Sequence, residues 1–224
     1  SDGSTTKISG DFLFMCGGYY SYDKPHRPEF PGESRYQGQV LHPQFWPEDL
    51  DYNGKKVIVI GSGATAMTIV PSMTQKGAQV TMVQRSPTYV VSRPAEDKIA
   101  NSLRKWLPEK WAYAITRLKN TTLSGYFYRQ TRSQPAKTKA QLLGMATANL
   151  GEEMVKAHFT PSYNPWDQRM CLIPDGDLYT SINEGSAKVV TGDIETWTES
   201  GLLMKDGTEV TGDIIVTATG ITLT

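Results

Sequence analysis

Cysteine is scarce in this sequence: Cys16 and Cys171 are the only two among 224 residues. Two thiols cannot make a disulfide framework, and they are not paired at metal-ligand spacing. A reducing, cytoplasmic setting is therefore expected, with no metal site. Long apolar runs are missing as well. Residues 57–60 and 80–83 fall far short of the ~20 residues that a spanning helix needs, and no basic-then-apolar signal opens the chain. No membrane segment is expected. Net charge is also absent, because 23 Lys and Arg face 23 Asp and Glu. That balance gives no electrostatic reason to expect nucleic acid or an anionic membrane as partner, so any anion site has to be local. The length suits one substantial core, alone or with an attached subdomain, and one main domain is the default.

What is present falls into blocks. Residues 12–16 form an apolar run closed by Gly17-Gly18, the pattern of a buried strand. Residues 22–47 turn to proline, glycine, aromatics and charge, and Pro25, Pro28, Pro31, Pro43 and Pro47 block helix and central strand alike. They are expected to form a linker of fixed shape. Residues 55–61 read as a short parallel-type strand. Residues 64–75 read as a helix with Ile69, Val70 and Met73 on one face, bent where Pro71 removes a backbone hydrogen bond. A second strand at 79–85 completes a βαβ unit, the opening of a parallel sheet.

From about 96 to 151 helix formers dominate, which predicts a helical insertion. Its aromatics, Trp106 and Trp111 included, are expected to serve the core or domain packing, and its charges over 98–119 to be solvated faces. Residues 160–174 read as irregular, 177–183 as a short helix and 188–190 as a strand. The end is antiparallel in pattern: 201–205, a turn at Asp206-Gly207, 209–210, then a buried strand at 214–218 closed by Thr219-Gly220. The expected fold class is α/β, a Rossmann-like domain with a parallel sheet, a helical insertion and an antiparallel β segment.

Two places in this scheme carry chemistry. Gly61-Ser62-Gly63-Ala64-Thr65-Ala66 lies between an expected strand and helix and fits the dinucleotide fingerprint, with alanine in its third small position. Gly61 permits the tight turn, Gly63 lets backbone approach a pyrophosphate, and Ala66 lets the helix pack close to the strand. The helix N-terminus then receives the anion. At the end of the second strand, where an NAD enzyme offers Asp or Glu to the ribose, this chain offers Gln84-Arg85-Ser86. A cation there suits a 2′-phosphate, which favours NADPH over NADH.

The string from Tyr36 through Gly38 and His42 to Trp46-Pro47 has no metal or triad logic of its own. It resembles the fingerprint of type I Baeyer-Villiger monooxygenases, within the flavin-containing monooxygenase superfamily, with Tyr36 where that family usually has Phe. The subgroup that it most resembles is that of the ethionamide-activating monooxygenase, through residues 42–50, 61–66, 84–89 and 163–178. The resemblance implies that residues 1–24 are the strand and hinge remnant of a truncated FAD domain. It also implies that 25–224 form the NADPH domain, with Thr219 and Gly220 on the return strand. It further implies that Arg169 is the cation over the flavin, and that Gln168 stands where many members have a phosphate-binding Lys. The parent reaction so implied uses NADPH, FAD and O2, through a C4a-peroxyflavin, to turn a ketone into an ester or to oxidise a sulfide or thioamide. A second glycine unit for FAD is lacking, so this chain is expected to bind dinucleotide without catalysing. The alternatives are an N- or S-oxidising flavin monooxygenase, an inert nucleotide-binding module and a simple Rossmann dehydrogenase. The Trp46-Pro47 pair speaks against the first, and the helical insertion has no role in the last.

Overall fold

The computed structural model describes residues 3–168 and 170–223. Its centre is a five-stranded, all-parallel sheet built from β2 (Gln39–Leu41), β3 (Lys56–Ile60), β4 (Gln79–Gln84), β7 (Ala187–Thr191) and β11 (Ile214–Thr217), in the order β2-β11-β3-β4-β7. Helix α1 (Ala64–Thr74) connects β3 to β4, as the βαβ reading requires. The last of these strands in the sequence, β11, returns to the other side of β3, so the order of the sheet reverses between β3 and β11. In open α/β sheets the ligand crevice lies outside the carboxyl ends of the strands at such a reversal.

The middles of the strands are mostly apolar because both faces of the sheet are covered. Val57 and Val59 of β3 pack against Ala66, Met67 and Val70 of α1, together with Leu178 of α6 (Asp177–Asn183). Ile58 and Ile60 face the other way, onto Trp197, Leu202, Met204 and Val210. Those four come from a three-stranded antiparallel sheet of β8 (Ile194–Trp197), β9 (Gly201–Met204) and β10 (Glu209–Thr211). Each such aliphatic side chain taken from water contributes roughly 1.5–3 kcal/mol. Pro71 is tolerated inside α1, where it is buried.

Between β4 and β7 the chain makes β5 (Val90–Arg93), then the insertion: α2 (Lys98–Trp106), α3 (Glu109–Ser133), α4 (Pro135–Leu150) and α5 (Glu152–His158). The insertion therefore runs seven residues beyond the expected boundary at 151, to His158. Its aromatics are not core residues: Trp106 and Trp111 are exposed, and α3 buries only Ala112 and Thr131. The segment 160–174 is not wholly irregular, because β6 (Cys171–Pro174) pairs in parallel with β5. Four residues without alternation gave no strand signal, and only the partner strand makes one of them.

The expected buried strand at 12–16 does not form; Phe12, Leu13, Phe14 and Met15 are exposed and unpaired. An apolar run becomes a buried strand only where a neighbouring strand takes up its backbone groups, and these residues contact none. Conversely, the proline-rich stretch 22–47 is more than a linker. It supplies β1 (Tyr20–Pro25) and the edge strand β2, and β1 pairs antiparallel with β12 (Ile221–Leu223). Pro25 sits at the end of β1, where it can avoid the ladder.

Trp197 is completely buried, ringed by Phe30 at 5.6 Å and Tyr36 at 5.7 Å, yet its indole N–H has no partner. Trp197→Ala should cost about 3–5 kcal/mol in urea unfolding. Trp197→Phe keeps ring packing and removes the stranded donor, so it should cost less than half as much. Equal losses for the two variants would show that packing around this ring does not hold the antiparallel layer.

Candidate functional site

The geometry at the sheet reversal follows from one close approach. Gly61 leaves β3 with φ +133°, and a Cβ there would lie 2.3 Å from the carbonyl oxygen of Ala218, just past β11. Only glycine permits this contact. The chain then enters α1 through Gly63, and no side chain caps the helix. Its first N–H groups are left to a ligand, the arrangement in which a helix end takes an anion. Ala66 is fully buried against the sheet, as a small residue at that position should be.

Two adjoining clefts, of about 450 and 660 Å³, run over this turn. The larger collects Gly61, Ser62, Gly63, Ala64, Thr65, Arg85, Ser86, Gln168, Thr219 and Gly220, so ten of the expected cofactor residues line one surface. The smaller reaches past Arg85 to Gly192, Asp193 and Ile194. Arg85 is exposed, and it is the single Lys or Arg among the described residues lining either cleft. Ser62 Oγ donates to the Ser86 carbonyl at 3.4 Å, tying the glycine turn to the end of β4. Arg169 lies outside the described residues; its neighbour Gln168 is on the cleft wall.

Residues that the sequence did not single out complete the walls. His26 lines both clefts, and its carbonyl accepts from Thr219 Oγ1 at 2.6 Å. The loop carrying Gln168 is braced from three sides. Tyr163 OH bonds Thr88 Oγ1 at 3.0 Å, Tyr89 OH donates to the Tyr163 carbonyl at 2.5 Å, and Arg132 of α3 pairs with Asp167 at 2.7 Å. Burial raises the Tyr89 phenol, and Arg132 holds the Asp167 carboxyl below its usual value. An aromatic near a short polar loop is too common a pattern to have marked this brace. Cys171 is buried and donates towards the Ser62 carbonyl at 3.7 Å.

The string Tyr36–Pro47 stays out of the clefts and instead ties the crossing chain segments together. Tyr36 OH donates to the Gly212 carbonyl at 2.9 Å, and burial beside Asp213 pushes its pKa to about 12. A Cβ on Gly38 would strike the Tyr36 ring and the Asp213 carbonyl oxygen. His42 bonds the Gly220 carbonyl through Nε2 at 3.0 Å, and its Nδ1 accepts from the Gln44 N–H at 3.2 Å. An accepting Nδ1 requires a neutral ring with the proton on Nε2. Thr217 Oγ1 adds a bond to the Leu41 carbonyl at 3.1 Å. Trp46 packs edge-on to Tyr52, and the Pro47 carbonyl accepts from Leu50 N–H at 3.4 Å.

Burial lowers the pKa of His42, helped by the charges of Arg27 and His26 and opposed by the Gly220 bond; burial also lowers that of His158. A group that resists protonation in the folded state binds fewer protons there than when unfolded, so its contribution is intact above the unfolded value of 6.5 and is lost as pH falls towards the folded pKa. His42→Gln should therefore shrink, without abolishing, the drop in urea midpoint between about pH 7.5 and 5.5, since His158 remains. An unchanged drop in the variant would mean that His42 is not held neutral.

The flavin-binding monooxygenase-like family matches residues 1–224, the full chain. The FAD-containing monooxygenase EthA of Mycobacterium tuberculosis is 47% identical over 225 residues, covering 100% of this chain and 46% of that protein. Among solved structures, an oxidised steroid monooxygenase bound to NADP superposes with a TM-score of 0.67 at 21% identity, over 92% of this chain and 46% of that one. OTEMO in complex with FAD and NADP gives 0.68 at 18% identity, over 93% and 47%. The chain thus spans about half the length of the relatives it matches. With that match along its entire length, and the Rossmann-type fold of its structural neighbours, the chain belongs to the flavin-binding monooxygenase-like family.

Proposed function

We propose that this chain is the NADPH-binding half of an FAD-dependent monooxygenase of the Baeyer-Villiger type. The observation that carries the reading is the meeting, in one cleft, of the uncapped α1 N-terminus, the Arg85-Ser86 pair and the Ala218–Gly220 link. The donor set fits the group. Backbone N–H groups at the start of α1 suit the pyrophosphate, and Arg85 with Ser86 suits a 2′-phosphate one strand away. Gln168 brings no charge to this wall, which leaves Arg85 as the recognition cation. Bound flavin supplies the oxygen-activating chemistry in such an enzyme, while the residues described here bind and orient the nicotinamide nucleotide and shield it from water.

The sequence holds one glycine unit of this kind, so the flavin is held by chain outside these residues, and the 224 residues alone bind dinucleotide without turnover. Arg169, beside Gln168, is the cation candidate for the oxygenation step. A ketone, sulfide or thioamide is the substrate class, and the fingerprint Tyr36–Pro47 favours the Baeyer-Villiger reading over N- or S-oxidation.

Calorimetric titration tests this. The chain should bind NADP more tightly than NAD and carry no flavin absorbance. Arg85→Ala should weaken NADP binding roughly tenfold or more, since a charge-assisted bond is worth about 1.5–3 kcal/mol and this one is partly screened by solvent. NAD binding should change by no more than about twofold. Equal affinity of the unaltered chain for the two nucleotides would overturn the assignment of Arg85.

A further inference from the structure

The zero net charge hides a partition. Residues 98–150, which span α2, α3 and α4, hold ten Lys and Arg against one acid, Glu109, a net charge of +9. The rest of the chain carries the matching −9. Three of these cations are engaged: Lys119 with Asp97 at 2.6 Å, Arg132 with Asp167, and Lys139 with the Pro161 carbonyl. Lys98, Arg104, Lys105, Lys110 and Arg117 face solvent with no carboxylate partner among the described residues.

Large apolar side chains share this surface. Trp106 at the end of α2 is 83% exposed; on α3, Trp111 is 65%, Ile115 42% and Leu118 69% exposed. Trp111, Ile115 and Leu118 stand at i, i+4 and i+7, so they form one stripe along the helix. Ile99 and Trp106 repeat the i, i+7 spacing on α2, and Ile99 is exposed too. The buried Ala112 lies on a different face of α3, turned about 100° from Trp111. The stripe is therefore directed away from the packing of α3 on its own domain.

We infer that the α2–α3 hairpin is a docking surface for an anionic lipid bilayer. An amphipathic helix with tryptophan and aliphatic residues on one face, flanked by Lys and Arg, is the pattern that lies in the headgroup region. Tryptophan favours that depth because its ring is apolar and its N–H is wet. The commitment to lipid rests on charge complementarity combined with this shape. A nucleic acid would match the charge but leave five aliphatic and indole groups in water. No helix among the described residues is long and apolar enough to cross a membrane, so the contact is peripheral. The inference is independent of the nucleotide reading.

Co-sedimentation tests it, using the chain and vesicles of phosphatidylcholine alone or with about 30% phosphatidylglycerol. The chain should sediment with the anionic vesicles and stay in solution with the neutral ones, and binding should fall with salt. Each cation near an anionic surface is worth roughly fivefold in partition. Arg104→Gln/Lys105→Gln/Lys110→Gln should therefore lower partition at least tenfold, as should Trp106→Ser/Trp111→Ser/Leu118→Ser, with an unchanged urea unfolding midpoint in both as the check on folding. Equal binding to neutral and anionic vesicles, or none to either, would overturn the inference. Retention of an acidic protein or of DNA in place of vesicles would overturn it as well.

Discussion

The architecture depends on how closely two strands approach where the sheet order reverses. With Gly61 at φ +133° against the Ala218 carbonyl, β3 and β11 can leave the sheet side by side, one into the helix that presents N–H groups, the other into the link Ala218–Gly220. Any side chain at position 61 would push these apart by more than a van der Waals contact allows. The cleft is therefore the residue of a packing constraint: it exists because the two exits are forced to share a seam and no side chain fills it. The bonds from Thr219 to His26 and from His42 to Gly220 then fix the second exit in place.

What could be read in the sequence follows from how local each signal is. The β3–turn–α1 unit, the strand at β4, the helix at α6 and the turn at Asp206-Gly207 are all specified by nearby residues, and each forms where its pattern lies. The elements that were missed or misread depend on a distant partner. β2 is three residues inside a proline-rich stretch and becomes a strand only through β11, more than 170 positions away. β6 exists through β5, and β8 through β9. The run at 12–16 shows the reverse, a strand pattern without a neighbour. Patterning records what a segment can bury, and pairing decides whether it does.

The candidate site divides in the same way. Its glycines, Arg85 and Ser86 are legible because one motif carries the requirements of turn, approach and charge. His26, Thr88 and Asp193 are not, since each reaches the cleft through tertiary contacts that leave no spacing behind. His42 is an intermediate case. The resemblance marked it as important, but only the geometry shows that it works as a clamp on the exit of β11, its ring kept neutral by burial while its Nδ1 accepts from the Gln44 N–H.

Gln84 shows how the insertion is coupled to the cleft. It points from the end of β4 to the helical side of the sheet, where its Nε2 donates to the His158 carbonyl at 2.7 Å and to Thr191 Oγ1 at 2.9 Å. Its own carbonyl accepts from Gly192 N–H at 2.9 Å, next to Asp193 on the wall of the smaller cleft. The end of α5, the end of β7 and the residue before Arg85 thus meet on one amide. The Gln84 Oε1 atom is left buried without a partner, a cost of about 1–3 kcal/mol that a simple apolar side chain would avoid. An apolar residue could fill the space but could not bond two separate elements at once. The unpaired oxygen is the consequence of an amide chosen for its donors, which tie the end of α5 and the end of β7 to the residue before Arg85.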